Sequence, residues 1–234
     1  MKAYILHGWT YAKDGDDPLA KWDDFLNELK KHNIEAALLR VPGLTSDMDK
    51  VLKLEDYVDW LKKSLEKEGE KVVLIGHSNG GRIASAFSAI YPEKVSHLVL
   101  IDSAGIFRNR LPGRIKRATF KTIAKLGKKF TKSERLKKLL YKVIREGDYT
   151  RGNEAQRKTM QNLIYLDLSN QFQQIKAPTA IIWGKEDKVT PLSDGKLIHQ
   201  LIANSKFFEI EGARHSPQFT HVKAVVEKIV KEIS

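Results

Sequence analysis

Short apolar runs recur along the chain at wide intervals: AYIL (3–6), IEAALLRV (34–41), KVVLIG (71–76), VSHLVLI (95–101), TAIIW (179–183) and KFFEI (206–210). Most are continuous rather than alternating, as expected of strands covered on both faces. Between them the apolar positions take helical spacing. Leu19, Trp22, Phe25, Leu26 and Leu29 mark one buried helix face, and Leu54, Tyr57, Val58, Leu61 and Leu65 mark a second. Residues 80–90, ending before Tyr91-Pro92, predict a third helix, and 192–202 and 222–233 predict two more. Strand–helix alternation with crossovers this long predicts an α/β fold, a mainly parallel central sheet flanked by helices.

The alternation breaks once. After Ile101 the next strand signal is at Thr179, and the residues between are helical in pattern and basic. Leu136, Leu139, Leu140, Val143 and Ile144 recur at i, i+3, i+4, i+7 and i+8, with lysines and arginines on the other face. LPG (111–113), REGDYTRGN (145–153) and the KAP before Thr179 punctuate the segment. The expected organisation is therefore a core of 1–102 and 176–234 with a helical insertion, a cap or lid, at 103–175.

Composition narrows the chemistry. Of 234 residues 41% are hydrophobic, enough for a sizeable core. There is no cysteine, which excludes disulfides, Cys-ligated zinc and thiol catalysis. The apolar run in MKAYILHGWT is too short for a signal-peptide core, and no run approaches membrane-spanning length, so the cytoplasm is the expected location. The net charge of +12 is uneven: residues 103–175 hold 18 Lys+Arg against 5 Asp+Glu, leaving the rest of the chain near neutral. That surplus bears on partners, not on fold.

One stretch carries chemistry. Gly76-His77-Ser78-Asn79-Gly80 is a G-x-S-x-G pattern placed after a predicted strand and before a predicted helix. A sharp turn there would hold Ser78 in a strained conformation at a helix N-terminus, with Gly76 and Gly80 where side chains would collide. Gly81 would let the helix approach the sheet. A serine nucleophile needs a base, and the base needs an orienting acid. GKEDKVTP offers Glu186 and Asp187 after one strand, and EGARHSP offers His215 after the next. All three would emerge at the carboxyl edge of the sheet, where ligands bind in open α/β folds. The first strand ends there too, in His7-Gly8-Trp9, and Gly8 would let the Trp9 N–H face the site.

With LHGW (6–9), RVPG (40–43), GHSNGG (76–81), LVLIDSA (98–104), WGKEDKVTP (183–191) and GARHSPQ (212–218) in order, the chain resembles the α/β-hydrolase superfamily. The resemblance implies Ser78 as nucleophile, Asp187 as triad acid, His215 as base, and the backbone N–H groups of Trp9 and Asn79 as oxyanion donors. It also implies that 103–175 is the variable cap. Asp102 stands at an alternative acid position that some of these folds use. Two departures stand out. The chain begins at the strand feeding the oxyanion loop, without the usual preceding hairpin. Arg40 replaces the aspartate common before the turn, adding a cation near the rim.

Other residues invite plainer roles. His7 and His77 are expected to support loops or line the pocket, Trp9 to pack or to bind substrate, and Trp22, Trp60 and Trp183 to fill the core. His32, His97, His199 and His221 lack metal-ligand spacing, and no phosphate loop or dinucleotide fingerprint appears, so neither metal nor cofactor is expected. The expected function is hydrolysis of small to medium carboxylic esters through an acyl-enzyme. The same triad and cap also serve carbon–carbon bond hydrolysis or a thioesterase acting on an anionic acyl group. A ligand-binding protein with a nearly idle triad is the alternative of another class. The basic segment reads as a solvated helix face, a landing site for an anionic acyl carrier, or a lid touching an anionic membrane. It lacks the aromatic interleaving of a nucleic-acid surface. Oligomeric state is not legible.

Overall fold

All six apolar runs become strands: β1 Lys2–Leu6, β2 Glu35–Leu39, β3 Val72–His77, β4 Val95–Ile101, β5 Thr179–Gly184 and β6 Ser205–Ile210. The structure, a computed structural model, describes residues 2–10, 17–45, 48–107 and 153–233. Every neighbouring pair is parallel, in the order β2-β1-β3-β4-β5-β6.

Alternate residues of the inner strands build two cores, as a period of two requires. Leu74, Leu98, Leu100, Ile181 and Trp183 face one side, where they meet α2 (Leu54–Ser64) and α3 (Asn79–Ile90). Val73, Ile75, Val99, Ala180 and Ile182 face the other, against α1 (Asp23–Lys31) and the C-terminal helix Val222–Ile233. Inner strands β3 and β5 are buried throughout, while edge strands β2 and β6 mix exposed and half-buried positions, with Ile210 alone of their residues buried. The continuous runs thus mark burial on both faces.

The helix faces match the spacing. Leu54, Tyr57, Val58, Leu61 and Leu65 are all buried, as are Leu19, Trp22, Phe25 and Leu29. Trp22 and Trp183 lie in the core, and Trp60 packs half-buried at its margin. The run at 34–41 is longer than its strand, because Val41 turns away and gives its N–H to His7 Nε2 at 3.1 Å.

Beyond β4, the described part of the basic segment contains α4 (Glu154–Ile164) and α5 (Ser169–Gln174). Leu163, Leu168, Phe172 and Ile175 join the core on the α3 side. The helical pattern at Leu136–Ile144 and the LPG at 111–113 lie outside the described residues. After β5 come α6 (Leu192–Leu201), the short α7 (Pro217–Thr220) and α8 (Val222–Ile233). Among the described residues no helix is long and apolar enough to cross a membrane.

The topology positions the site. From β1 the chain runs outward to β2, then returns to place β3 on the other side of β1. Loops leaving the carboxyl ends of β1 and β3 therefore part at this reversal, the place where open α/β sheets bind ligands.

Candidate active site

Ser78 is the hinge between β3 and α3. Its φ of 53° and ψ of −119° lie in a region that side chains rarely adopt. Although it is the N-cap of α3, its side chain makes no capping hydrogen bond. The strained backbone turns the hydroxyl away from the helix, where its Oγ lies 3.1 Å from His215 Nε2. The turn is sewn in place by Ser78 N–H to Ile101 O at 3.1 Å and Ala104 N–H to Ser78 O at 2.9 Å.

The glycines around the turn are required by close approach. A Cβ on Gly76 would sit 2.5 Å from Gly81 Cα, and one on Gly80 would sit 2.0 Å from Leu6 O. Gly76 thus makes room for the start of α3, and Gly80 for the end of β1.

His215 sits in the loop after β6, and its Nδ1 lies 2.7 Å from Asp187 Oδ2. Asp187 follows β5 and is buried, whereas its neighbour Glu186 is exposed. The Asp187 carboxylate accepts from the Val189 and Thr190 N–H groups at 2.6 and 3.1 Å through Oδ1, and from the Thr190 hydroxyl at 2.6 Å through Oδ2. Ser78, His215 and Asp187 are thus brought into one hydrogen-bonded chain. Thr190 and the Val189 amide were not singled out from the sequence. A threonine three residues after an aspartate in a loop was the available signal.

Asp102, the other acid candidate, is fully buried at the end of β4 with φ 42°. Its Oδ1 accepts from Gly184 N–H at 2.8 Å, while Oδ2 has no partner among the described residues. Burial, reinforced by the charge of Asp187, pushes its carboxyl up to about 8 against the pull of the Gly184 hydrogen bond. His215 therefore meets Asp187, not Asp102, as its hydrogen-bonded acid.

Both flanking histidines are neutral supports. His7 faces Gly8 O through Nδ1 at 2.7 Å and accepts from Val41 through Nε2, which places its proton on Nδ1. Burial takes it down to about 4. His77 Nε2 donates to His215 O at 3.0 Å and so anchors the loop carrying that residue. Burial and the nearby His215 hold His77 well below the usual histidine range. Possible ligand atoms of His77, Asp102 and His215 lie within 4.8 Å of one another, but the His215 ring is already engaged by Ser78 and Asp187 and His77 Nε2 by the His215 carbonyl.

Over Ser78 opens a cavity of about 600 Å³, lined by both flanking histidines, Trp9, Asn79, Arg82 and His215 among others. Trp9 is half-buried and both lines this cavity and packs at the core margin. Gly8 brings its loop so close that a Cβ there would lie 2.9 Å from Ser78 Cβ. Among the described residues neither the Trp9 nor the Asn79 backbone N–H has a hydrogen-bond acceptor. Ser103, Ile106, Met160 and Ile164, from the two described ends of 103–175, complete the wall. Arg40, expected near the rim, is not among the residues lining this cavity and is instead exposed and ion-paired with Asp17.

The arrangement can activate a hydroxyl, hold the resulting imidazolium and offer two amides to a developing oxyanion. Known proteins resemble this chain along its length. The profile of the family described as alpha/beta hydrolase fold matches residues 50–222. Monoacylglycerol lipase ABHD6 of Mus musculus is 26% identical over 265 residues, covering 97% of this chain and 73% of that protein. Pimeloyl-[acyl-carrier protein] methyl ester esterase of Legionella pneumophila is 26% identical over 230 residues, covering 94% and 90%. Among solved structures, the enol-lactonase from Burkholderia xenovorans LB400 superposes with a TM-score of 0.71 at 16% identity, covering 99% of this chain and 90% of that one.

Proposed function

This chain belongs to the alpha/beta hydrolase fold family, and we propose that it is a serine hydrolase that cleaves carboxylic esters through an acyl-enzyme. The observation carrying this reading is the chain from Ser78 Oγ through His215 to Asp187 at the floor of a cavity. His215 Nε2 takes the Ser78 proton as Oγ adds to the ester carbonyl, and Asp187 holds the Nδ1–H and the imidazolium that forms. The Trp9 and Asn79 N–H groups receive the oxyanion. The imidazolium then gives its proton to the departing alcohol. Water, deprotonated by His215, attacks the acyl-enzyme and releases the acid and Ser78.

The names of the relatives, a monoacylglycerol lipase and a methyl ester esterase, support ester bonds as the substrate class. In this reading the segment 103–175 is the cap, with Ile106, Met160 and Ile164 as its contribution to the acyl pocket. Its basic surplus suits an acidic acyl carrier, for which kcat/KM would fall steeply with added salt. The reading extends to a cytoplasmic enzyme, which fractionation of cells making the untagged chain tests.

Turnover of p-nitrophenyl acyl esters by wild type and Ser78→Ala decides the central claim. Loss of at least about a thousandfold in kcat is expected on removing the nucleophile. Equal rates in the two proteins would refute it.

A further inference from the structure

Arg82 lies on α3 one turn beyond Ser78, its N–H bonded to Ser78 O at 3.3 Å. It is 4% exposed, yet it lines the cavity above the serine. Its side chain makes one hydrogen bond, from Nη1 to Leu166 O at 2.9 Å, and its Nε has no partner among the described residues. No described carboxylate pairs with it. The charge of Asp167 acts on it, but that carboxylate is engaged by the Phe107 and Ser169 N–H groups at 2.7 and 3.0 Å.

A buried guanidinium whose Nε is shut away without a partner and which has no ion pair of its own among the described residues is an expensive thing for a protein to keep. Packing does not explain it, because Ile83, Ala84 and Phe87 already fill the core side of α3. The same cavity has apolar lining at Ile106, Met160 and Ile164. An aliphatic chain ending in an anion would satisfy both the wall and the cation. Arginine meets a carboxylate through two parallel N–H bonds.

We propose that Arg82 is a specificity-determining residue that binds a carboxylate in the substrate, so that the preferred esters carry a free carboxylate a few bonds from the scissile carbonyl. The assignment rests on the ester-hydrolase reading above. One helical turn, about 5.4 Å along the axis, separates Arg82 from the nucleophile, which sets that spacing. Burial brings the proton affinity of Arg82 down to about 10, and the charge of Asp167 offsets this only in part.

The test compares methyl hemiesters of succinic, glutaric and adipic acids with methyl esters of monocarboxylic acids of equal chain length. A second series places the carboxylate on the alcohol side, against neutral counterparts. The wild type is expected to prefer the charged ester by about tenfold or more at one or more lengths in either series, the size of a charge-assisted hydrogen bond. Arg82→Gln should bring that ratio close to one, mainly through KM, and Arg82→Lys should retain part of it. No preference in the wild type, or a preference that survives Arg82→Gln, overturns the proposal. If Arg82 variants do not fold, calorimetric titration of Ser78→Ala with adipate and hexanoate decides. Tighter binding of adipate supports the assignment, and equal binding or none overturns it. Turnover of neutral esters without a charge preference would sink this proposal and leave the ester reading standing. Absence of all ester turnover would sink the ester reading, and the titration would still report on Arg82.

Discussion

The Thr190 hydroxyl donates to Asp187 Oδ2 at 2.6 Å, the same oxygen that lies 2.7 Å from His215 Nδ1. With the Val189 and Thr190 amides on Oδ1, the carboxylate is held at both oxygens before it meets the imidazole. Thr190→Val removes the hydroxyl bond and should lower kcat about tenfold, with Thr190→Ser restoring most of it. Asp187→Asn should cost about ten-thousandfold, because the imidazole would lose its orienting acid. Steady-state rates on a p-nitrophenyl ester check both. A far smaller loss in Asp187→Asn would mean that Asp102 takes over.

Asp102 makes stability depend on pH. Its native carboxyl keeps its proton up to about 8, whereas the unfolded chain gives it up near 3.8. Between those values the native state holds more protons, so this group's contribution falls as pH rises through the window. Asp102→Asn cannot titrate and still offers an oxygen to Gly184 N–H. It should be more stable than wild type at pH 8 by about 1–3 kcal/mol, with little difference at pH 4. Urea unfolding at the two pH values measures this, and an unchanged pH slope would contradict it.

The turn at Ser78 carries strain that the hydroxyl does not relieve. Ser78→Gly and Ser78→Ala both remove the proposed nucleophile, but only glycine is at ease with φ 53° and ψ −119°. Ser78→Gly should therefore exceed Ser78→Ala in stability by about 1 kcal/mol, after allowing for the greater entropy of the unfolded glycine chain. Thermal or denaturant melts of the two inactive proteins give the comparison. An alanine variant as stable as the glycine one would mean that the turn relaxes.

Gly80 has backbone against it. A methyl group there would meet Leu6 C and O at 2.4 and 2.0 Å, atoms fixed in the sheet. Gly80→Ala should cost about 3 kcal/mol and move the amide of Asn79 out of place. Loss of ester turnover beyond the loss of folded protein, followed by circular dichroism, is the expected signature. Near wild-type stability would show that α3 can shift.

Much of the site was legible because its parts are local. GHSNGG, KEDKVTP and GARHSP each sit where a strand ends, and the parallel order brings those ends to one edge. Strand and helix positions followed from apolar spacing, since burial on both faces leaves continuous runs and burial on one face of a helix leaves a stripe. Ser78, Asp187 and His215 lie where that reading put them. Less visible were contacts between loops distant in sequence. His77 supporting His215, His7 receiving Val41, and Arg40 pairing with Asp17 depend on which loops meet, and no spacing encodes that.

By itself the sequence determined the alternating α/β order, the strained serine turn and the Ser, Asp, His succession, because each depends on short-range sterics and periodic burial. Only the tertiary structure decided between the acids near His215. Asp187 meets the imidazole, while Asp102, shut away from water, keeps its proton. The folded chain alone also isolates Arg82 in the cavity wall. Whether a charged group is solvated, paired or stranded depends on the neighbours that folding brings to it.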